Sequence, residues 1–225
     1  MNEGHIQPGA LALTLAHETL WLLPERALWW PAAHTLFVAD VHLGKAASFR
    51  ALGLPVPAGT TDDNLQRLSR LIEALGATRL VVLGDLLHAR AAQRPELIAA
   101  LRQWRERHAS LDCLLIRGNH DMHAGDPPAS LLIQTLDEPQ QLGPFAACHH
   151  PSLSSGAIVL AGHLHPAVNL HGRANEHHRL PCFCMTEALL ILPAFGAFTG
   201  TTTAALPTGA TCYAIGGGRV WAVPP

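Results

Sequence analysis

An α/β layered fold is what this sequence predicts, and three observations carry the prediction. Helical periodicity runs through 61–75 and again from Pro95 to about His108; short apolar runs without that periodicity lie between and after these segments; and five of those runs stop at residues able to bind a metal. Length agrees with this, since 225 residues, 48% of them apolar, bury a full core as one domain over 1–225, and no linker interrupts them.

Taken in order, the opening segment alternates Leu11, Leu13, Leu15 and then Trp21, Leu23, the period of a half-buried hairpin of edge strands with Ala16, His17 and Glu18 at its turn. In the first helix Leu65, Leu68, Leu71, Ile72 and Leu75 form one stripe, with Thr60 or Thr61 as the expected N-cap, acids in the first turn and Gly76 as the stop. The second helix starts at Pro95, buries Leu97, Ile98, Leu101 and Trp104, and projects Arg102, Arg105 and Arg107 from its other faces. Residues 171–179 are polar and read as an exposed loop, 188–195 as an apolar strand, and 212–223 as a hairpin turning at Gly216 to Gly218.

Composition narrows the function classes. With 14% charged residues and a net charge of −2, no polybasic surface exists to hold nucleic acid by charge alone, so any contact with DNA is local. Five cysteines, an odd number with no CxxC pair and no secretory leader, indicate a reduced, cytoplasmic setting; Cys182 and Cys184 are strand or core positions. No apolar run reaches the roughly 18–20 residues that span a bilayer. Neither GxSxG nor GxxxxGK[ST] occurs, which removes the serine-hydrolase and P-loop readings. Fifteen histidines are many for this length, and imidazole is the commonest metal ligand, so some of them do chemistry; His5, His17 and His34 have no partners in sequence and read as surface.

The five apolar runs are TLFVA before Asp40 and His42, RLVVL before Gly84 and Asp85, CLLIR before Gly118, Asn119, His120 and Asp121, PFAAC before His149 and His150, and AIVLA before Gly162, His163 and His165. Lying side by side with their carboxyl ends at one rim, such strands deliver two Asp, one Asn and at least four His to one crevice. Carboxylates in an imidazole-rich shell suit Mn, Fe or Zn. Two adjacent cations need a bridging carboxylate, and Asp85, directly after Gly84 at a central strand end, is the choice; Gly84, Gly118 and Gly162 let the backbone turn sharply before the ligands.

These motifs, Asp40-Val-His42, Gly84-Asp85, Gly118-Asn119-His120-Asp121, His149 and Gly162-His163-Leu164-His165, resemble the calcineurin-like metallophosphoesterase signature in order and in every element. The stretches DVHLGKAASFRALGLPVPAGTT, LGDLLHAR, CHHP, AGHLHPAV and LPCF followed by LPAFGAFTG are similar to the bacterial ligase-associated DNA damage response metallophosphoesterases (PdeM-like) from about Asp40 to Gly200. The resemblance implies a four-layer αββα sandwich and two divalent metal ions, Mn first, with Fe or Zn as alternatives. It places metal one on Asp40, His42, Asp85 and His165, and metal two on Asp85, Asn119, His149 and His163. Consecutive strand residues point to opposite faces, so only one of His149 and His150 binds, and the motif, with its ligand two residues before Pro151, favours His149. His88 stands where many superfamily members carry an acid, and is expected to tune the metal shell or touch substrate.

Two cations roughly 3.5–4 Å apart bring a shared water to near-neutral pKa for in-line attack on phosphorus. His120 is the candidate to protonate the leaving oxygen, with Asp121 orienting its ring. Lys45, the only lysine, and Arg50 and Arg90 follow the metal motifs closely and are candidates for the flanking phosphates of a diester chain. The leading expectation is thus a Mn-dependent phosphodiesterase or endonuclease; the resemblance alone supplies DNA as substrate, repair as setting and a DNA ligase or helicase as partner. A small-molecule phosphatase or cyclic-nucleotide phosphodiesterase, which the low charge suits, and a non-catalytic scaffold of the same fold are the competing classes.

Overall fold

The computed structural model describes residues 8–56, 59–89, 94–152, 154, 156–172, 176–203 and 206–224. Its first sheet takes its strands in chain order: β1 (Leu11–Leu15), β2 (Glu18–Leu23), β3 (Ala27–Trp30), β4 (Thr35–Val38), β5 (Arg79–Leu83), β6 (Asp112–Ile116) and β7 (Gln134–Leu136). Neighbours are antiparallel up to β4 and parallel from β4 to β7. The first hairpin turns at Ala16 and His17, whose φ values of 49° and 64° follow the twist of the flanking strands. Of the two hairpin strands only β1 is an edge; β2 lies inside, paired with β3. Four helices accompany the strands among the described residues: α1 (Lys45–Ala51), α2 (Thr60–Leu75), α3 (Pro95–Arg107) and α4 (Asn119–Ala124).

The second sheet contains β8 (Gln140–Leu142), β9 (Phe145–Ala147), β10 (Ile158–Ala161), β11 (Ala167–His171), β12 (His177–Met185), β13 (Leu189–Ile191), β14 (Thr211–Gly216) and β15 (Arg219–Ala222). Its order is β15-β14-β12-β13-β10-β9-β8, with β11 paired to β12 off this path. The five metal-bearing runs therefore do not lie side by side in one sheet: β4, β5 and β6 are neighbours in the first, β9 and β10 in the second. An apolar run records burial on both faces, and a sandwich provides that as well as a single covered sheet does.

Alternation along each strand sorts the core. Leu36, Val38, Leu80, Val82, Cys113 and Leu115 face Leu65, Leu68, Leu71, Leu97, Leu101 and Trp104 of α2 and α3. The residues between them, Phe37, Val81, Leu83, Leu114 and Ile116, face Phe145, Leu160, Phe183 and Leu190 of the second sheet. Each such side chain contributes about 1.5–3 kcal/mol on burial, so the interface fixes how the sheets stack. Ala146, Cys148, Val159, Ala161, Cys182, Cys184 and Ile191 face outward from the second sheet and are covered by Leu164, Val168, Leu206 and Ala210. The two cysteines are core positions, as the sequence indicates.

Beyond β13 the chain crosses from one sheet to the other. Leu192 N–H donates to the Ala161 carbonyl at 2.8 Å, Ala194 bridges Ala39 in parallel, and Phe195 and Gly196 donate to the carbonyls of Ala39 and Asp40 at 2.8 and 3.1 Å. This seam joins the ends of β10 and β4, so the carboxyl ends of the parallel strands in both sheets form one rim.

Six local expectations are corrected. Gly59, at φ 86°, is the N-cap of α2, in place of Thr60 or Thr61, and Gly76 ends the helix at φ 62° as expected. Ile98 is half-buried, not buried. Arg105 does not project to solvent: it is 6% exposed and donates to the carbonyls of Leu131, His108 and Leu111, each at 3.0 Å, and to Cys113 Sγ. It shares the face of Leu101, Trp104 and His108, where its guanidinium satisfies the C-cap carbonyl of α3 and two loop-side carbonyls beyond it. Residues 171–179 are not wholly loop: β11 runs to His171 and β12 starts at His177, because cross-strand pairing fixes polar residues that have no apolar alternation. The 188–195 strand shortens to β13, and the 212–223 hairpin turns at Gly217 and Gly218.

Candidate metal centre

The loops after β4 and β5 run side by side: His42 and Leu43 donate to the carbonyls of Asp85 and Leu86, each at 2.8 Å. Asp40, Asp85, His149 and His42 are all buried. Around one end of the Asp85 carboxylate, Oδ2 lies 3.7 Å from His42 Nε2, His42 Nε2 lies 3.4 Å from His165 Nε2, and His165 Nε2 lies 3.4 Å from Asp40 Oδ1. Around the other end, Oδ1 lies 3.7 Å from His149 Nε2, which is 2.9 Å from Asn119 Oδ1 and 3.0 Å from His163 Nδ1. Two pockets thus share one carboxylate.

The chemistry of these atoms decides what fits them. His165 Nδ1 faces the Gly200 carbonyl at 3.0 Å and His149 Nδ1 the Leu83 carbonyl at 3.1 Å, so each ring donates there and turns its Nε2 lone pair inward. Those lone pairs face carboxylate and amide oxygens, which are acceptors too. Asp40 Oδ1 is buried with no hydrogen-bond partner, while Oδ2 accepts the His163 N–H at 2.9 Å. Acceptors that converge with no N–H facing them except what the ring tautomers of His42 and His163 can offer are the arrangement a cation resolves, and oxygen and imidazole ligands without thiolate fit divalent Mn, Fe or Zn.

Titration favours the neutral, ligating form of three imidazoles. Burial, with Lys45 and neighbouring imidazoles, pushes His42 down to about 2, and burial lowers His149 and His163. His165 rises instead, because its contacts with Asp40 outweigh burial. Asp85 is raised by burial and by Asp40, a repulsion that positive charge between them relieves.

The backbone is strained where the ligands sit. Asp40, His42, Asp85, His163 and His165 all have φ between 48° and 71°, and they are half of the ten non-glycine residues in that region among the described residues. Each costs about 1–3 kcal/mol, which packing at the rim must offset. Of the three glycines expected to allow sharp turns, Gly84 alone has positive φ, at 79°; Gly118 and Gly162 serve by lacking a side chain. A Cβ on Gly118 would stand 2.4 Å from Asp85 Oδ1, and one on Gly162 2.8 Å from Asp40 Oδ2.

A family model described as calcineurin-like phosphoesterase matches residues 33–155, the segment that carries Asp40, His42, Asp85, Asn119 and His149. The chain belongs to the calcineurin-like phosphoesterase family. Among solved structures this phosphoesterase is similar to the Pseudomonas putida nuclease MPE, with 45% identity, a TM-score of 0.84, and coverage of 95% of this chain and 100% of the other. Yfce, a phosphoesterase from E. coli, is 15% identical over 84% of this chain and 97% of its own, with a TM-score of 0.40. No curated protein shows significant similarity to the chain. The mixed α/β architecture of two sheets is that of the family, and the chain is a metal-dependent phosphoester hydrolase.

The remaining candidates of the phosphoesterase divide. His120 lies beside the shared carboxylate: its N–H donates to Asp85 Oδ1 at 2.9 Å, its Nδ1 faces the His88 carbonyl at 2.7 Å, and its Nε2 is 4.0 Å from Asp85 Oδ2. Asp121 does not orient that ring. Its carboxylate accepts backbone N–H groups of Asp85 at 2.7 Å, Gly118 at 3.0 Å and Leu87 at 3.1 Å, and burial pushes its pKa up to about 6. His88 stacks on His120 at 4.9 Å, with Nδ1 3.4 Å from His42 Nδ1. Lys45 is half-buried at the start of α1, and its ammonium feels the charges of Asp85 and Asp40. Arg50 is exposed at the other end of α1, 3.5 Å from the Val56 carbonyl. Arg90 lies outside the described residues. His149 enters the cluster; His150 stands beside it, with a ring nitrogen within 4.8 Å of those of His149 and His163, while its Nδ1 lies 2.6 Å from Glu138 Oε1. Glu138 was not among the sequence candidates; it follows no metal motif, and only folding brings it to His149.

Proposed function

We propose that this phosphoesterase is a Mn-dependent phosphodiesterase and endonuclease that acts on DNA in repair, in the cytoplasm. The observation that carries the reading is the Asp85 carboxylate with one oxygen in each of two acceptor-lined pockets. Likeness to a nuclease over nearly the whole chain supports cleavage of nucleic acid.

Asp40, His42 and His165 with Asp85 would hold one ion, and Asn119, His149 and His163 with Asp85 the other. Two divalent ions supply Lewis acidity and a water acidic enough to react near neutral pH. His120 does the proton work of the chain itself. With Nδ1 fixed on the His88 carbonyl, its Nε2 faces the site, and a proton held there passes to the departing oxygen. Lys45 steadies phosphate oxygens beside the pocket, and a diester chain leaving the site along α1 reaches Arg50. Arg90, outside the described residues, remains a candidate for the flanking phosphates from its place in the sequence, and a DNA ligase or helicase is the proposed partner that supplies basic surface.

Hydrolysis of bis-p-nitrophenyl phosphate, single-stranded DNA and cyclic AMP, measured side by side with Mn, tests this. Manganese-dependent cutting of the DNA and of the synthetic diester is expected. Turnover confined to cyclic AMP would favour the small-molecule reading that the low charge suits.

A further inference from the structure

We infer that Glu138 is a positioning residue of the second pocket: from the end of the first sheet, its carboxylate fixes the backbone of a metal-binding histidine at the end of the second. The inference rests on the dinuclear reading of the pocket.

The last amide of this strand end to donate across to β10 is Cys148 N–H, to the Leu160 carbonyl at 2.9 Å, although the His149 carbonyl still accepts the Gly162 N–H at 3.1 Å. The next two amides, His149 and His150, leave the strand and would be stranded at the rim. Glu138 Oε2 accepts both, at 2.7 and 2.9 Å, and Oε1 faces His150 Nδ1 at 2.6 Å. Glu138 stands two residues past β7, an edge strand of the first sheet, while His149 belongs to the second. The His149 ring is then aimed by Leu83, another first-sheet residue, whose carbonyl faces its Nδ1 at 3.1 Å. A ligand carried by one sheet is thus held at two points by the other, with its side chain fully buried.

The chemistry asks for a carboxylate. Two adjacent N–H donors and an imidazole N–H need a partner that only accepts, at both oxygens. Glutamine can keep one oxygen on the two amides only by turning its N–H₂ to His150 Nδ1, which forces that ring into its other tautomer and replaces charge-assisted bonds by weaker neutral ones, and alanine leaves the two amides and the ring without this partner. Because groups that orient a metal ligand typically govern affinity by 10–100-fold, the second ion is the one that should loosen.

The test is a Mn titration by calorimetry of the full chain as wild type, Glu138→Gln and Glu138→Ala, alongside amide hydrogen exchange of 145–152 in the metal-free proteins. Wild type should take two equivalents; Glu138→Gln should keep one at wild-type affinity and weaken the other by about 10–100-fold, with faster exchange at His149 and His150. Excess Mn should then restore most of kcat in Glu138→Gln, which a general loss of structure would not permit. Wild-type affinity for both ions in the variants, or equal weakening of both in step with lost stability, overturns the inference. Fewer than two equivalents in wild type would instead refute the dinuclear reading, and the exchange rates would still decide whether Glu138 holds the two amides. Glu138→Gln keeps the volume of the side chain and serves if Glu138→Ala does not fold.

Discussion

The backbone N–H of Asp85 donates to the Asp121 carboxylate at 2.7 Å, and the same carboxylate takes the N–H groups of Gly118 and Leu87. One buried anion therefore ties the loops after β5 and β6 together directly beneath the shared ligand. Asp121→Asn replaces an acceptor by a donor facing at least one of these amides, and should cost about 1–3 kcal/mol of stability. Both Mn equivalents should weaken together, because Asp85 serves both pockets. Chemical denaturation and Mn titration check this; undisturbed Mn binding would show that the clamp is not what places Asp85.

Arg105→Met tests the packing apart from the site. Three carbonyls lose a buried donor, and each stranded acceptor costs about 1–3 kcal/mol, so a large fall in denaturation midpoint is expected. The residue lies on the helix side of the first sheet, so rate per folded molecule should stay within a factor of about two. A surface role would leave the midpoint unchanged.

A methyl group on Gly84 would stand 1.9 Å from His149 Nδ1, on a backbone at φ 79°. Gly84→Ala should displace the ring and weaken the second ion by about 10–100-fold while the first is kept. Two tight equivalents in this variant would mean that the ring relaxes without leaving the pocket.

Removing the orphaned charge should reveal a conflict between stability and activity. Asp40 Oδ1 has no partner when no ion is bound, and an Asn amide in its place can donate to the His165 Nε2 lone pair, 3.4 Å away. Metal-free Asp40→Asn should unfold at a higher midpoint than metal-free wild type, by about 1 kcal/mol, yet lose the stabilisation that Mn gives wild type. A lower midpoint for the metal-free variant would contradict the picture of unrelieved repulsion.

His120→Ala should keep both ions and lose about a hundredfold or more in rate on DNA. On bis-p-nitrophenyl phosphate, whose leaving group needs no proton, the loss should be much smaller. Equal losses on the two substrates would assign His120 to charge stabilisation rather than proton transfer.

Much of this site was readable before folding. Runs such as RLVVL before Gly84-Asp85 mark both the strand and the ligand that follows it, since buried strands need apolar residues and polar groups can only appear where the strand ends. Pairing was not readable: nothing in PFAAC or AIVLA says that β9 and β10 belong to a different sheet from β5, because partner choice depends on shape across the whole core. The roles of Asp121, Glu138 and Arg105 were hidden for a related reason. Each bonds backbone groups distant in sequence, and a carboxylate or guanidinium looks the same in sequence whether it meets solvent or a buried amide. For Arg105 a signal existed, its place on the stripe of Leu101, Trp104 and His108, and charge obscured it. The left-handed backbone at five candidate ligands had no signal, since Asp and His differ from glycine in bearing a Cβ.

The crossing at Ala194 and Phe195 makes the mouth of the sandwich a riveted hinge rather than a clam-shell. Sliding one sheet past the other would shear the strap that also carries Gly196 onto Asp40. The strap therefore keeps Asp40, at the end of the first sheet, and His163, at the end of the second, at a set spacing through one continuous stretch of chain.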